Sequence, residues 1–378
     1  VIQRYLREKS QTFAELDDLR ELGWANKAGD EYYRKQRERA DAADRSAKDR
    51  KAMHAMMVNI GDQLQDATGI FTPPTPLSPP SSISSSHGSP LSNNGRAQFR
   101  MLDICIAPGG YSEACLKYQP TAQIRGITLS TANGGHVMEI PYSSNTFGSL
   151  TNAAGEDSRV KVRFEDVTMY LNEYCPEPKP QNRQHVVESV GPANKFLTVR
   201  PFPGVHFDVV FCDGKVLRTH ASRLSSSESL ESVRLTVSQL ILALQRIRPG
   251  GSLVILLHQL DLWRNIKLLY TLGQFSTVSL FKPKPSHAQR SSFYMVAKGV
   301  DPCCAAAEEA VNEWKTIWFN ATLAGAEKAD DNETAGALWE EEEEDIKWVL
   351  DKIGDLLVEM GEPIWTVQRD ALKVASYI

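Results

Sequence analysis

The sequence has no C-x-x-C pair, no signal-peptide pattern, no apolar run long enough to span a bilayer and no surplus of positive charge. Each absence excludes something. Six cysteines (Cys105, Cys115, Cys175, Cys212, Cys303 and Cys304) are scattered through 378 residues without metal-ligand spacing. This usage points to a reduced, intracellular protein, cytoplasmic or nuclear, with no cysteine-based zinc site and no metal expected. Cys105 and Cys212 fall in apolar strand-like runs, where a free thiol packs as a small hydrophobe. The missing apolar span excludes a membrane partner. A net charge of -5 excludes general affinity for nucleic acid, so any such affinity has to be local. The chain begins at Val1 rather than Met. The expectation is a trimmed or incompletely predicted start, which leaves an upstream targeting signal open.

What is present is enough for a sizeable core: 42% of the residues are apolar. The length suits one large domain with appendages, or two domains. Residues 1–70 read as an N-terminal helical extension. Within it, DEYYRKQRERADAADRSAKDRKAMHAMM is expected to be one long, largely solvated helix that turns apolar near Met53, Met56, Met57 and Ile60. Residues 71–98 are rich in Ser and Pro and nearly uncharged, the composition of a disordered linker. Residues 99–300 alternate apolar strand-like runs with helix-like ones, and 301–378 form a C-terminal helical extension. There Trp314, Trp318, Trp348 and Trp365 suggest packed helices, and EEEEED a solvated face or a partner surface. The extensions are also where a protein partner could dock. The central pattern implies an α/β fold, a doubly wound and mostly parallel sheet whose ligands bind outside the carboxyl ends of the strands.

One stretch concentrates the chemistry: LDICIAPGGYSEACL, a strand feeding a glycine turn and then a helix. Gly109 and Gly110 lack a Cβ, so the chain can turn tightly and a ligand can lie against the backbone. The helix start offers unpaired N–H groups, and Asp103 in the strand can brace the loop. A purely structural turn is the competing reading. Downstream, Asp166 closes the strand RVKVRF and can accept a hydrogen bond from an adenine amino group, while Asp213 ends HFDVVFCD.

Together LDICIAPGGYSE, Asp166, FDVVFCDGK, IRPGGSLVILL and FKPKPSHAQRSSFYMVAKG resemble an FtsJ-like (RrmJ-type) methyltransferase over roughly residues 100–299. The family is known for 2′-O-methylation of RNA ribose with S-adenosylmethionine as donor. By that resemblance Ala107, Pro108, Gly109, Gly110 and Tyr111 line the methionine end of the cofactor. Asp166 holds the adenine, and Asp213 lies beside the sulfonium and the acceptor. Ser130 and Thr131 stand where many relatives carry an acid for the ribose of the cofactor.

The resemblance also implies a Lys–Asp–Lys–Glu tetrad, and this chain departs from it. Asp213 is kept, Leu256 takes the second lysine's place, Ser292 the glutamate's, and Lys51 matches the first lysine by position only. Leucine cannot move a proton, so three readings stay open. One is a methyltransferase for a more reactive, non-RNA acceptor. Another is an RNA enzyme in which His258 or Lys215 replaces the lysine. The third is a catalytically silent binding or scaffold protein. His258 lies two positions after Leu256 in a strand and shares its face. Candidate catalytic residues are therefore Asp213 and His258. In KPKPSHAQR, Lys282, Lys284, His287 and Arg290 are placed to contact RNA phosphates, or else form a solvated loop. Aromatics do not interleave there, so no base-stacking platform is expected.

Overall fold

The computed structural model describes residues 1–41, 46–73, 98–144, 155–176, 184, 188, 196–217, 228–327 and 342–376. Most of the Ser/Pro-rich stretch lies outside the described residues. Its first members do not belong to a linker, because Phe71 is fully buried and stacks near Phe211.

Among the described residues eight strands make one sheet: β1 (Arg100–Ile104), β2 (Gln123–Thr128), β3 (Ser143–Ser144), β4 (Val160–Phe164), β5 (Phe207–Cys212), β6 (Ile247–His258), β7 (Thr277–Phe281) and β8 (Ser292–Val300). Their order is β3-β4-β2-β1-β5-β6-β8-β7. All pairings from β3 to β6 are parallel, and β8 runs antiparallel to both β6 and β7. The order reverses between β1 and β5, which makes that point the crevice of a doubly wound sheet. Strands buried on both faces must be apolar throughout, and every residue of β5 is buried. Alternate side chains feed opposite layers. Val210 and Cys212 join one core with Leu102 and Ile104; Val209 and Phe211 join the other with Met101. β6 starts at Ile247, so Arg-Pro-Gly-Gly lies inside the strand rather than closing the preceding helix, and Ile247 pairs with Phe207.

The N-terminal extension contributes α1 (Ile2–Lys9), α2 (Gln11–Ala25), α3 (Lys27–Asp41) and α4 (Ala47–Thr68). The expected single solvated helix is thus two, and the second is packed along one face and exposed on the other. Met57, Ile60, Gly61 and Leu64 of α4 are buried against α5 (Gly110–Tyr118). The apolar turn expected near Met53, Met56, Met57 and Ile60 is the start of this buried stripe, which continues through Gly61 to Leu64. After α5, the connections between strands include α6 (Leu171–Tyr174), α7 (Glu228–Arg246) and α8 (Trp263–Gly273). The C-terminal extension supplies α9 (Ala305–Glu327), packed on α7, and α10 (Glu343–Lys373), packed on α2. Trp314, Trp318 and Trp365 are buried as expected of packed helices, whereas Trp348 is half exposed, with Tyr270 edge-on to its ring and the Lys352 amine over it. Among the described residues no helix is long and apolar enough to cross a membrane.

Two contacts fix the extensions to the sheet. A Cβ on Gly110 would lie 2.5 Å from Met57 Cβ and 2.7 Å from the His54 carbonyl oxygen. Glycine there lets α4 rest directly on the start of α5. Gly109 has φ 103°, and a Cβ would meet Ile140 at 2.8 Å. The glycine pair therefore accommodates protein. On the other face, Arg20 of α2 donates to Asp261 Oδ1 at 3.0 Å and to Gln368 Oε1 of α10 at 3.0 Å. Gln3 of α1 donates to the second oxygen of Asp261 at 2.9 Å. Asp261 follows β6 directly, so three helices from both extensions converge on one loop of the central domain.

Gly110→Ala should push α4 off α5 and lower stability by about 1–3 kcal/mol, read by urea denaturation. Arg20→Met should leave a buried carboxylate without its cation and cost about 3–5 kcal/mol, and pairing it with Asp261→Leu should recover most of that loss.

Candidate functional site

A cavity of about 740 Å³ opens at the carboxyl ends of the central strands. Cys105 and Ala107 from the loop after β1, Thr128 and Leu129 from the end of β2, Asp166 and Val167 after β4, and Asp213 after β5 line it. Leu256 and His258 from β6 and Ser292 and Tyr294 from β8 complete the wall. The first residues after strands converge here because parallel strands all end on one edge of the sheet. From the opposite side come Lys35 and Glu38 of α3 and Met53, Met56 and Met57 of α4. The helix expected to be solvated is thus a wall of the cavity.

Asp213 is half-buried at this wall and accepts a hydrogen bond from the Tyr294 hydroxyl at 3.2 Å. The Tyr294 and Tyr111 hydroxyls are bonded to each other. Burial, with help from Asp103, pushes the Asp213 carboxyl up to about 7, and the Tyr294 hydrogen bond pulls the other way. Burial beside Asp213 holds both phenols neutral, their pKa values raised well above 10. Tyr294 is the residue that sequence reading missed. The signal was there: it stands two positions after Ser292 in a strand and so shares its face. His258 opens into the cavity beside Leu256, as the strand periodicity required. Burial and then nearby Lys215 hold its imidazole down to about 4, so it is neutral at pH 7.

The remaining expected residues divide. Asp166 caps the turn Val167–Met169, its Oδ1 accepting the Thr168 backbone N–H at 2.9 Å and hydroxyl at 2.8 Å, while its side chain borders the cavity. Ala107 and Tyr111 line the cavity, whereas Gly109 and Gly110 have Ile140 and α4 against them and Pro108 sits behind the wall. Asp103 is fully buried beneath the loop. It accepts the Ser112 hydroxyl at 2.6 Å, so the brace runs to a side chain of the helix after the loop. Ser130 and Thr131 lie beyond the wall, which at that point is Leu129. Lys51 is exposed on α4 and outside the wall.

The basic loop after β7 needs a correction. Lys282 is buried, and its amine donates to the carbonyls of Arg290 and Ser292, the latter at 2.8 Å. Burial lowers this amine to about 7. It is a brace for the loop and not a surface phosphate contact. Lys284 is exposed, with its backbone tied to Gln63 of α4. Arg290 and His287 do face the cavity, and His287 Nδ1 lies 3.1 Å from the Ser292 hydroxyl.

The chain is similar in sequence to known methyltransferases. The chain is 28% identical to the cap-specific mRNA (nucleoside-2′-O-)-methyltransferase 1 of Danio rerio over 55% of its own length and 22% of that protein. To the Bos taurus protein of the same name it is 27% identical over 57% of this chain and 23% of the relative. It thus spans less than a quarter of the length of the curated relatives it matches. Among solved structures, an O-methyltransferase family protein from Burkholderia thailandensis aligns with 76% of this chain and 72% of its own, at 12% identity and a TM-score of 0.33. The model of the FtsJ-like methyltransferase family matches residues 88–300, more than half the chain. With the doubly wound sheet and the cavity at its strand ends, the chain belongs to the FtsJ-like methyltransferase family.

Proposed function

We propose that the chain is an S-adenosylmethionine-dependent methyltransferase whose acceptor is a ribose 2′-hydroxyl of RNA. The observation that carries the reading is Asp213, a carboxylate set in the wall of a 740 Å³ cavity at the switch point of the sheet. The RNA acceptor is suggested by the names of the relatives, which act on mRNA caps.

The residues present fit such a cofactor. The cavity volume falls within the range of about 300–1,000 Å³ usual for small-molecule sites. Asp166 and Asp213 follow strands separated by β2 and β1. Three inter-strand spacings, about 14 Å, give room for an extended molecule with a base at one end and a cation at the other. Asp166 would hold the adenine, and Ala107 and Tyr111 would border the methionine end. When bound, S-adenosylmethionine supplies a methyl group on a positively charged sulfur. The tight fit at Gly109 and Gly110 comes from the protein itself, so those two glycines are assigned to shaping the loop.

The chain's own part is the acceptor proton. Leu256 cannot carry it. Asp213, poised near neutrality, can hold the acceptor hydroxyl and take its proton as the new bond forms. Tyr294 donates to the same carboxylate and fixes its orientation. His258 faces the same space as a neutral imidazole, a weaker base by its lowered pKa. The substitution of Leu256 and Ser292 at tetrad positions also favours a second reading, a protein that keeps the cavity and binds without transferring.

Calorimetric titration with S-adenosylmethionine, followed by transfer of labelled methyl to RNA oligonucleotides, separates the two. Wild type should bind and transfer. Asp166→Ala should weaken binding about tenfold or more, beyond the loss of about 1 kcal/mol of stability expected from removing the cap on Thr168. Asp213→Asn should bind and not transfer. Binding without transfer by wild type selects the second reading, and no binding rejects both.

The pH profile gives an independent check. A carboxyl at about 7 is protonated below that pH, so transfer should rise about tenfold per unit up to 7 and then level. Tyr294→Phe removes a hydrogen bond that favours the charged form. The carboxyl pKa then rises, and the profile should move to higher pH.

A further inference from the structure

We infer that the C-terminal extension belongs to the cofactor site: Trp318 of α9 and Arg234 of α7 are positioning residues that hold Asp166 against the cavity. The inference rests on the proposed reading in which Asp166 takes the adenine of S-adenosylmethionine. The family match ends at residue 300, so Trp318 lies outside it.

The Asp166 carboxylate is bonded to its own turn. Its Oδ1 accepts the Thr168 N–H and hydroxyl, both only two residues away. Those bonds orient the carboxylate within the turn but do not hold the turn. The turn is held through the Thr168 carbonyl. This oxygen accepts the Trp318 indole N–H at 3.1 Å and an Arg234 terminal nitrogen at 3.4 Å. The same nitrogen reaches the Thr168 hydroxyl oxygen at 3.3 Å. A carbonyl oxygen has two lone pairs, and here both donors come from helices distant in sequence. The indole bond is the better of the two, since the Arg234 contact is longer and shared between two oxygens. Just before it, the Val167 carbonyl accepts the Tyr174 hydroxyl at 2.7 Å, and the Tyr174 ring lies 5.5 Å from that of Trp318.

Arg234 is itself directed on every nitrogen. Its Nε donates to Thr322 Oγ1 of α9 at 3.2 Å, and its other terminal nitrogen donates to both Glu231 oxygens at 2.9 Å. Trp318, Thr322, Arg234, Glu231 and Thr168 are all buried. A guanidinium in such a place costs free energy that an apolar side chain of the same volume would avoid. What it adds is direction, because the rigid planar fork fixes Thr168, Glu231 and Thr322 relative to one another. Thr168 and Glu231 also border the cavity, so the network ends on its wall at two points.

A carboxylate can accept more than two hydrogen bonds, so the bonds within the turn leave capacity for an adenine amino group. Recognition of that group then depends on where the turn sits. Without the indole N–H, the Thr168 carbonyl keeps one donor, long and shared. The peptide can then rotate, and the carboxylate bonded to it moves with it.

The test titrates the full chain by calorimetry with S-adenosylhomocysteine and with S-inosylhomocysteine, which carries a carbonyl oxygen in place of the adenine amino group. Wild type should prefer the adenine compound about tenfold or more, and Asp166→Ala should lose the preference. Trp318→Phe keeps a ring and removes the donor. It should lower the preference to about threefold or less, through weaker binding of the adenine compound. Thr322→Val, which removes an acceptor of Arg234, should lower it in the same direction, and carries the test alone should Trp318→Phe not fold. Trp314→Phe, at another buried tryptophan of α9, should leave the ratio unchanged whatever it does to the melting temperature. A ratio of two affinities on one folded chain does not depend on how stable that chain is, so a tryptophan that only packs the core would not move it. Full preference in Trp318→Phe and Thr322→Val, with the preference lost in Asp166→Ala, overturns the inference and keeps the adenine reading of Asp166. No preference in wild type, or an undiminished one in Asp166→Ala, overturns both.

Discussion

The approach of one helix to one glycine governs much of this structure. Because Gly110 has no side chain, the backbone of α4 rests on the start of α5, with the His54 carbonyl where a Cβ would be. That contact aligns the first half of α4 over the strand ends, and Met53, Met56 and Met57 become a wall of the cavity. The central domain alone would present an open crevice. With α4 in place the crevice is a walled space, and groups inside it are desolvated. The raised Asp213 carboxyl and the depressed His287 imidazole both follow first from burial.

Desolvation acts in opposite senses on the two kinds of group. It keeps a proton on Asp213 and takes one off His287, so the site near neutral pH carries less charge than its residues suggest. The tyrosine pair reinforces this. Tyr111 and Tyr294 stay neutral, satisfy one another and orient the carboxylate. Leu256 at the cavity wall adds to this dry environment, and the Asp213 carboxyl beside it is held near neutrality.

The sheet was legible because its strands are apolar on both faces, a pattern that amphipathic helices do not share. The convergence of Asp166, Asp213, Leu256, His258 and Ser292 on one cavity followed from strand ends and period-2 alternation. What escaped were contacts made across the fold. The apolar turn near Met53–Ile60 was legible, but the charges along 30–57 gave no sign of the break before α4 or of the helix that it packs on. Lys282 looked like a surface cation because nothing local reveals two backbone carbonyls waiting in a hairpin. The two glycines signalled a close approach correctly, but residue spacing could not say whether the neighbour was a ligand or a helix.

The reversal of β8 has a separate consequence. Running antiparallel to β6, it begins where β6 ends, with Ser292 opposite His258. The hairpin that precedes it therefore delivers His287 and Arg290 to the same edge as the parallel strands, without belonging to any crossover. Insertions there leave the winding order untouched. Asp213 follows directly on a central parallel strand, while His287 and Arg290 reach the same cavity from an antiparallel hairpin, so two sides of its wall are held by pieces of chain with separate structural support.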